Sequence, residues 1–117
     1  MLKEKEIEQI KSLLEESTNP VFLFDDDGDG LCSYLMLKRF YKKGIGTPIK
    51  TPGPLNTFYL DKIENEKADL VVILDKALVM QEFIDSCPCK VLYIDHHPIL
   101  KLNRVYYFNS LKHNKKS

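Results

Sequence analysis

The sequence contains no run of 18 or more apolar residues, and it opens on a Lys/Glu-rich segment rather than on a basic flank followed by an apolar core. Neither a membrane span nor a secretory signal is therefore expected, and a cytoplasmic location without a membrane partner follows by default. Cysteine is scarce. Cys32, Cys87 and Cys89 are odd in number, which argues against a disulfide framework, and Cys87-Pro88-Cys89 is too closely spaced for a CxxC redox or zinc pair. An excess of one charge is also missing. Lys and Arg total 17 against 17 Asp and Glu, so no global positive field draws in a polyanion, and any nucleic-acid contact has to be a local patch.

What the sequence does have is the composition of one globular domain: 117 residues, 44% hydrophobic and 29% charged, enough for a single core. Its organising stretch is Val21-Phe-Leu-Phe-Asp25-Asp-Asp27-Gly28-Asp29-Gly30. Four apolar residues predict a buried strand, and the Asp/Gly run predicts the turn where that strand leaves the core. Four carboxylates in five positions repel one another and lose solvation near a core, which is unfavourable unless a cation compensates them.

Taken in order, residues 3–16 place Ile7, Ile10, Leu13 and Leu14 on one face of an amphipathic helix. Ser17-Thr-Asn-Pro20 breaks it, and residues 21–24 form the first strand. A second helical pattern runs from Leu31 to Tyr41 and closes at Lys42-Lys43-Gly44. Residues 47–51 suggest a short strand, confined by Pro48, Pro52 and Pro54 to an edge or an irregular form. Residues 57–65 predict a short helix begun by Thr57, and residues 68–74 an apolar strand ending at Asp75. Residues 78–86 predict a helix, residues 90–94 a strand ending at Asp95-His96-His97, and residues 104–108 a last strand. Residues 111–117 form a basic, polar tail expected to be disordered. Tyr106-Tyr107-Phe108 reads as packing rather than as a base-stacking platform, because alternation in a strand buries every second ring.

Strands alternating with helices predict an α/β, three-layer domain, a mainly parallel sheet flanked by helices on both faces. In such a sheet every strand C-terminus lies along one edge, so Asp25 to Asp29, Asp75 and Asp95 to His97 converge on one crevice. A single Asp at a strand end is ordinarily a turn or cap residue, but three such sites in register point to a shared centre.

Asp25-x-Asp27-x-Asp29-Gly30 has the spacing of a calcium loop, yet the twelfth position, due a bidentate acid, is Met36, and a strand rather than a helix leads into it. The Asp-x-Asp-Gly of haloacid-dehalogenase-like phosphatases is met by Asp25 to Gly28, but Asp29-Gly30 follow where Thr-Leu is expected. The whole pattern resembles the DHH family of phosphoesterases, in its RecJ-like form: Asp25-Asp-Asp27-Gly-Asp29-Gly30-Leu-Cys-Ser33, then Leu70-Val-Val-Ile-Leu-Asp75, then Asp95-His96-His97. The match spans roughly residues 20 to 110, the N-terminal part of a DHH domain, so residues 1–117 are expected to be one domain that is incomplete relative to the full one.

The resemblance implies a phosphodiesterase acting on single-stranded DNA or RNA with two manganese or magnesium ions. It implies that Asp27 binds one metal, Asp29 and His96 the other, and that Asp75 bridges them. Asp25 would support the first metal, Asp95 would orient the histidines, and His97 would contact substrate phosphate. Gly28 and Gly30 would let the backbone turn tightly beside the metals, and Ser33, expected at the start of the helix, would cap it or meet phosphate. Leu23 stands where many members carry a histidine, and a further metal-binding Asp and a substrate-holding domain of the family lie past the matched region. A second protein subunit or a missing C-terminal segment is therefore expected. The alternative expectation is a catalytically inactive DHH-like module that serves as an assembly platform in a nucleic-acid-processing complex.

Overall fold

Each apolar run becomes a strand buried on both sides. The computed structural model describes residues 3–50, 53, 55 and 57–110. Its elements are α1 (Glu4–Glu16), β1 (Pro20–Asp25), α2 (Gly28–Tyr41), β2 (Ile45–Ile49), a 3₁₀ turn (Thr57–Tyr59) running into α3 (Leu60–Asn65), β3 (Leu70–Leu74), α4 (Gln81–Ser86), β4 (Lys90–Asp95) and β5 (Tyr106–Asn109). The five strands are all parallel, in the order β2-β1-β3-β4-β5. A parallel sheet covered on both faces buries consecutive side chains, which is why Val21 to Leu23 and Val71 to Ile73 are fully buried as continuous rather than alternating runs.

Strand periodicity sorts those side chains into two cores. Val21, Leu23, Val71, Ile73, Val91 and Tyr93 face one side, where Tyr59 of the 3₁₀ turn, Ile63 of α3 and Phe83 of α4 cover them. Phe22, Phe24, Val72, Leu74 and Leu92 face the other, against Ile10 and Leu14 of α1 and Tyr34 and Leu37 of α2. The result is the predicted three-layer α/β domain. The connection from β4 to β5 carries no helix, and Leu100, Leu102 and Val105 of that loop pack on the first core instead. None of the described helices is long and apolar enough to cross a membrane.

The element boundaries differ from the sequence reading for identifiable reasons. Helix α2 begins at Gly28, three residues before Leu31, because the Asp27 carboxylate accepts the Gly30 N–H at 2.8 Å and caps it. Asp29 and Gly30 thus lie in the helix's first turn. Ser33, six positions in, caps nothing. At its other end Lys42, at φ 55°, takes the left-handed cap conformation two residues before the expected Gly44. Strand β2 starts at Ile45, where it registers with Val21, and is an edge strand, which leaves Pro48 without an unmade ladder bond. Residues 51, 52 and 54 of that expectation lie outside the described residues, as does the basic tail. Helix α4 begins at Gln81 because the preceding residues are spent on Leu55: Leu55 donates to the Leu78 carbonyl and Met80 to that of Leu55. The 3₁₀ turn leaves α3 with Tyr59 rather than Thr57 as its cap. Ile7, expected on the buried face of α1, is 46% exposed.

Candidate metal centre

The chain leaves β1 toward β2 on one side and then passes back over to β3 on the other, so the direction of the sheet reverses between β1 and β3. In open α/β sheets the crevice outside the strand C-termini at such a point is the ligand site. Asp75 follows β3 there, and β4 delivers Asp95 and the two histidines beside it.

Asp75 is 7% exposed and has φ 57°, a left-handed conformation that Asp tolerates better than most residues. Its N–H donates to the Ile94 carbonyl at 3.1 Å, which fastens the turn to β4. One carboxylate oxygen, Oδ1, lies 2.6 Å from His96 Nε2 and 4.0 Å from His97 Nδ1. The His96 ring is the close ion-pair partner of this buried oxygen, and the contact favours the charged carboxylate. Burial pushes the Asp75 carboxyl above its ordinary value; His96 and His97 oppose the rise and the Asp27 carboxylate adds to it. The two imidazoles stack at 4.6 Å with 22° between planes.

Asp75, His96 and His97 each offer a ligand atom within 4.8 Å of the others. Burial disfavours the charged Asp75 carboxylate, and a divalent cation shared with the two imidazoles is a compensation this geometry fits.

Asp95 stands behind the histidines. It is 5% exposed, its Oδ1 lies 2.6 Å from His97 Nδ1, and its Oδ2 accepts the His97 N–H at 3.2 Å. Burial by itself would lower the His97 pKa, but the Asp95 hydrogen bond and the charges of Asp95, Asp75 and Asp25 outweigh it, and the group titrates above its ordinary value.

The acidic turn is arranged otherwise. Asp27 Oδ1 is occupied by the helix cap, and Asp25 Oδ1 lies 3.9 Å from the Lys76 ammonium. Asp29 is exposed in the first turn of α2 and, with Ser33, Asp75, Asp95 and His96, borders a cavity of about 600 Å³ whose inner wall is Ile10, Leu37, Leu74 and Ile94. Gly30 is buried and a Cβ there would lie 2.3 Å from the Asp25 carbonyl, so glycine is required for α2 to seat on the end of β1. Gly28 has open space around it. Leu23 is fully buried in the core facing α3 and α4.

Three residues that serve the centre escaped the sequence reading. Lys76 is 7% exposed, and its only sequence signal is a cation directly after a strand-end acid. Tyr93 donates its hydroxyl to the Lys76 carbonyl and lies 3.4 Å from Asp95 Oδ2; burial, then the Asp95 charge, raise its pKa. Asn109, fully buried at the end of β5, donates Nδ2 to the His97 carbonyl at 2.8 Å. Of the aromatic run, Tyr107 stacks on Tyr93 at 4.7 Å and Phe108 is buried, so both are packing residues. No protein-family model matches the chain, and no curated protein matches it.

Proposed function

We propose that this chain is a metal-dependent phosphodiester hydrolase acting on single-stranded nucleic acid. The metal is supported by one observation above the rest, the convergence of the buried Asp75 carboxylate with two imidazoles, whose ligand atoms lie within 4.8 Å of one another. The reaction class and substrate rest on the DHH resemblance of the three motifs. A bound manganese or magnesium ion would polarise a phosphoryl oxygen and lower the pKa of a bound water. The chain's own residues hold the arrangement. Asp95 locks the His97 ring, Asn109 fixes the His97 carbonyl, and the Ile94 carbonyl pins the Asp75 backbone. The cavity between Asp29, Ser33 and His96 is open to the same point and is large enough for a nucleotide. A second subunit or a further C-terminal segment that completes the substrate side belongs to the same proposal.

The test is hydrolysis of end-labelled single-stranded DNA and RNA, and of bis(p-nitrophenyl) phosphate, with and without manganese. Metal-dependent cleavage that disappears in Asp75→Ala and in His96→Ala is expected. Cleavage that is metal-independent, or that survives both substitutions, would overturn the proposal.

One observation favours the second reading, an assembly platform without hydrolytic activity. The outward surface of α2 carries Leu31, Leu35, Met36 and Phe40 at 45 to 73% exposure, a large apolar load for a surface helix. That reading predicts association through α2, lost in Leu35→Glu/Phe40→Glu, and no phosphodiester cleavage under any metal.

A further inference from the structure

We infer that the Lys76 ammonium is the fixed cation of the acidic turn and stands in for a second metal ion, so that the centre takes up one divalent cation per chain, on Asp75, His96 and His97. This rests on the metal reading above and departs from the two ions that the DHH resemblance implies.

A lysine side chain that is only 9% exposed must have its charge compensated, and the nearest carboxylate is that of Asp25, 3.9 Å from Nζ. The reverse holds as well: the acidic turn needs a cation, and the fold supplies one without recourse to metal. Lys76 cannot easily withdraw, because its carbonyl accepts the Tyr93 hydroxyl and the Asp75 backbone before it is tied to Ile94. A positive charge held at that point repels a divalent ion from the same carboxylates.

The ligands for a second ion are also committed elsewhere. Asp27 Oδ1 caps α2, Asp25 faces Lys76, and the position from which a histidine would reach the turn is the core residue Leu23. Asp29 lies at the cavity rim, outside the group of converging ligand atoms found among the described residues, Asp75, His96 and His97. On the other side of Asp75 the situation is opposite, since the carboxylate oxygen there faces His96 at 2.6 Å and His97 at 4.0 Å, two imidazoles that can share a metal ion with it. The two halves of the crevice are thus unequal, one holding a cation of the fold's own beside Asp25 and one open to a metal ion.

The experiment is manganese stoichiometry on the full chain, by calorimetric titration and by metal analysis after gel filtration, for the wild type, Lys76→Met, Lys76→Arg and His96→Ala. One manganese per chain is expected for the wild type and for Lys76→Arg, two for Lys76→Met, and at least a tenfold weaker site for His96→Ala. Two ions in the wild type, or one in both the wild type and Lys76→Met, overturns the role of Lys76 while leaving the metal reading intact. No ion in any form overturns both. Electron paramagnetic resonance of the manganese-loaded wild type needs no variant: an isolated six-line signal is expected, and a spin-coupled pair would refute the inference.

Discussion

Asp95 grips His97 at two points, its Oδ1 2.6 Å from Nδ1 of the ring and its Oδ2 accepting the backbone N–H of the same residue at 3.2 Å. A carboxylate on Nδ1 draws the ring proton to that nitrogen and leaves Nε2 with its lone pair for a cation. The histidine is thereby fixed in orientation and tautomer before any ligand arrives.

Replacing Asp95 with Asn keeps the shape and weakens that hold. Manganese affinity is expected to fall by roughly 10- to 100-fold, the usual effect of losing the carboxylate behind a ligating histidine. Calorimetric titration checks this, with an unchanged far-UV spectrum as the control for folding. An affinity within twofold of wild type would mean that Asp95 does not orient the ligand.

Asp75→Asn separates the site from the fold. Asparagine tolerates the left-handed backbone at φ 57°, and it removes a carboxylate whose charged form burial disfavours. The metal-free melting temperature should therefore not fall. The stabilisation by manganese, about 2.7 kcal/mol when the ion is at a hundred times its Kd, should vanish. Thermal melts with and without manganese read both.

The two glycines of the acidic turn should behave oppositely. In Gly30→Ala the new methyl would sit 2.3 Å from the Asp25 carbonyl, and a loss of about 1–3 kcal/mol is expected as α2 shifts off β1. Gly28→Ala meets open space at a helical position and should be neutral or stabilising by up to about 1 kcal/mol. Urea unfolding of the two variants side by side measures the difference.

Asp69 governs stability at low pH. Burial would raise its pKa, but it accepts hydrogen bonds from the Ser17 and Thr18 hydroxyls and the Thr18 and Asn19 N–H groups, and these bring it down to about 2 from 3.8. A folded-state value below the unfolded one favours the native state above the unfolded pKa, and that contribution fades as pH drops from about 4 to about 2. Asp69→Ala should flatten this part of the stability–pH curve. Because the group is largely exposed, its loss at neutral pH should cost only about 1–2 kcal/mol. Urea midpoints between pH 2 and 7 test it.

The layers of the fold were legible because their signals are local. Four- and five-residue apolar runs such as Val21 to Phe24 and Leu70 to Leu74 can satisfy both faces only inside a covered parallel sheet, and parallel strands bring Asp75 and Asp95 to one edge whatever their neighbours are. Sequence alone also singled out His96 and His97 as more than packing. Tertiary structure decided how those groups divide. That Asp27 caps α2 depends on the helix beginning at Gly28, a choice made by one hydrogen bond. That Asp75 meets both histidines depends on its left-handed backbone and on the β3–β4 register that sets Leu74 beside Ile94. That Lys76 meets Asp25 in the turn after Phe24 depends on burial across two adjacent strands, and no pattern along one segment carries it. The run of apolar residues fixes what a strand buries, whereas the pairing of charges past the strand ends is a long-range electrostatic outcome, set only when β1, β3 and β4 are side by side.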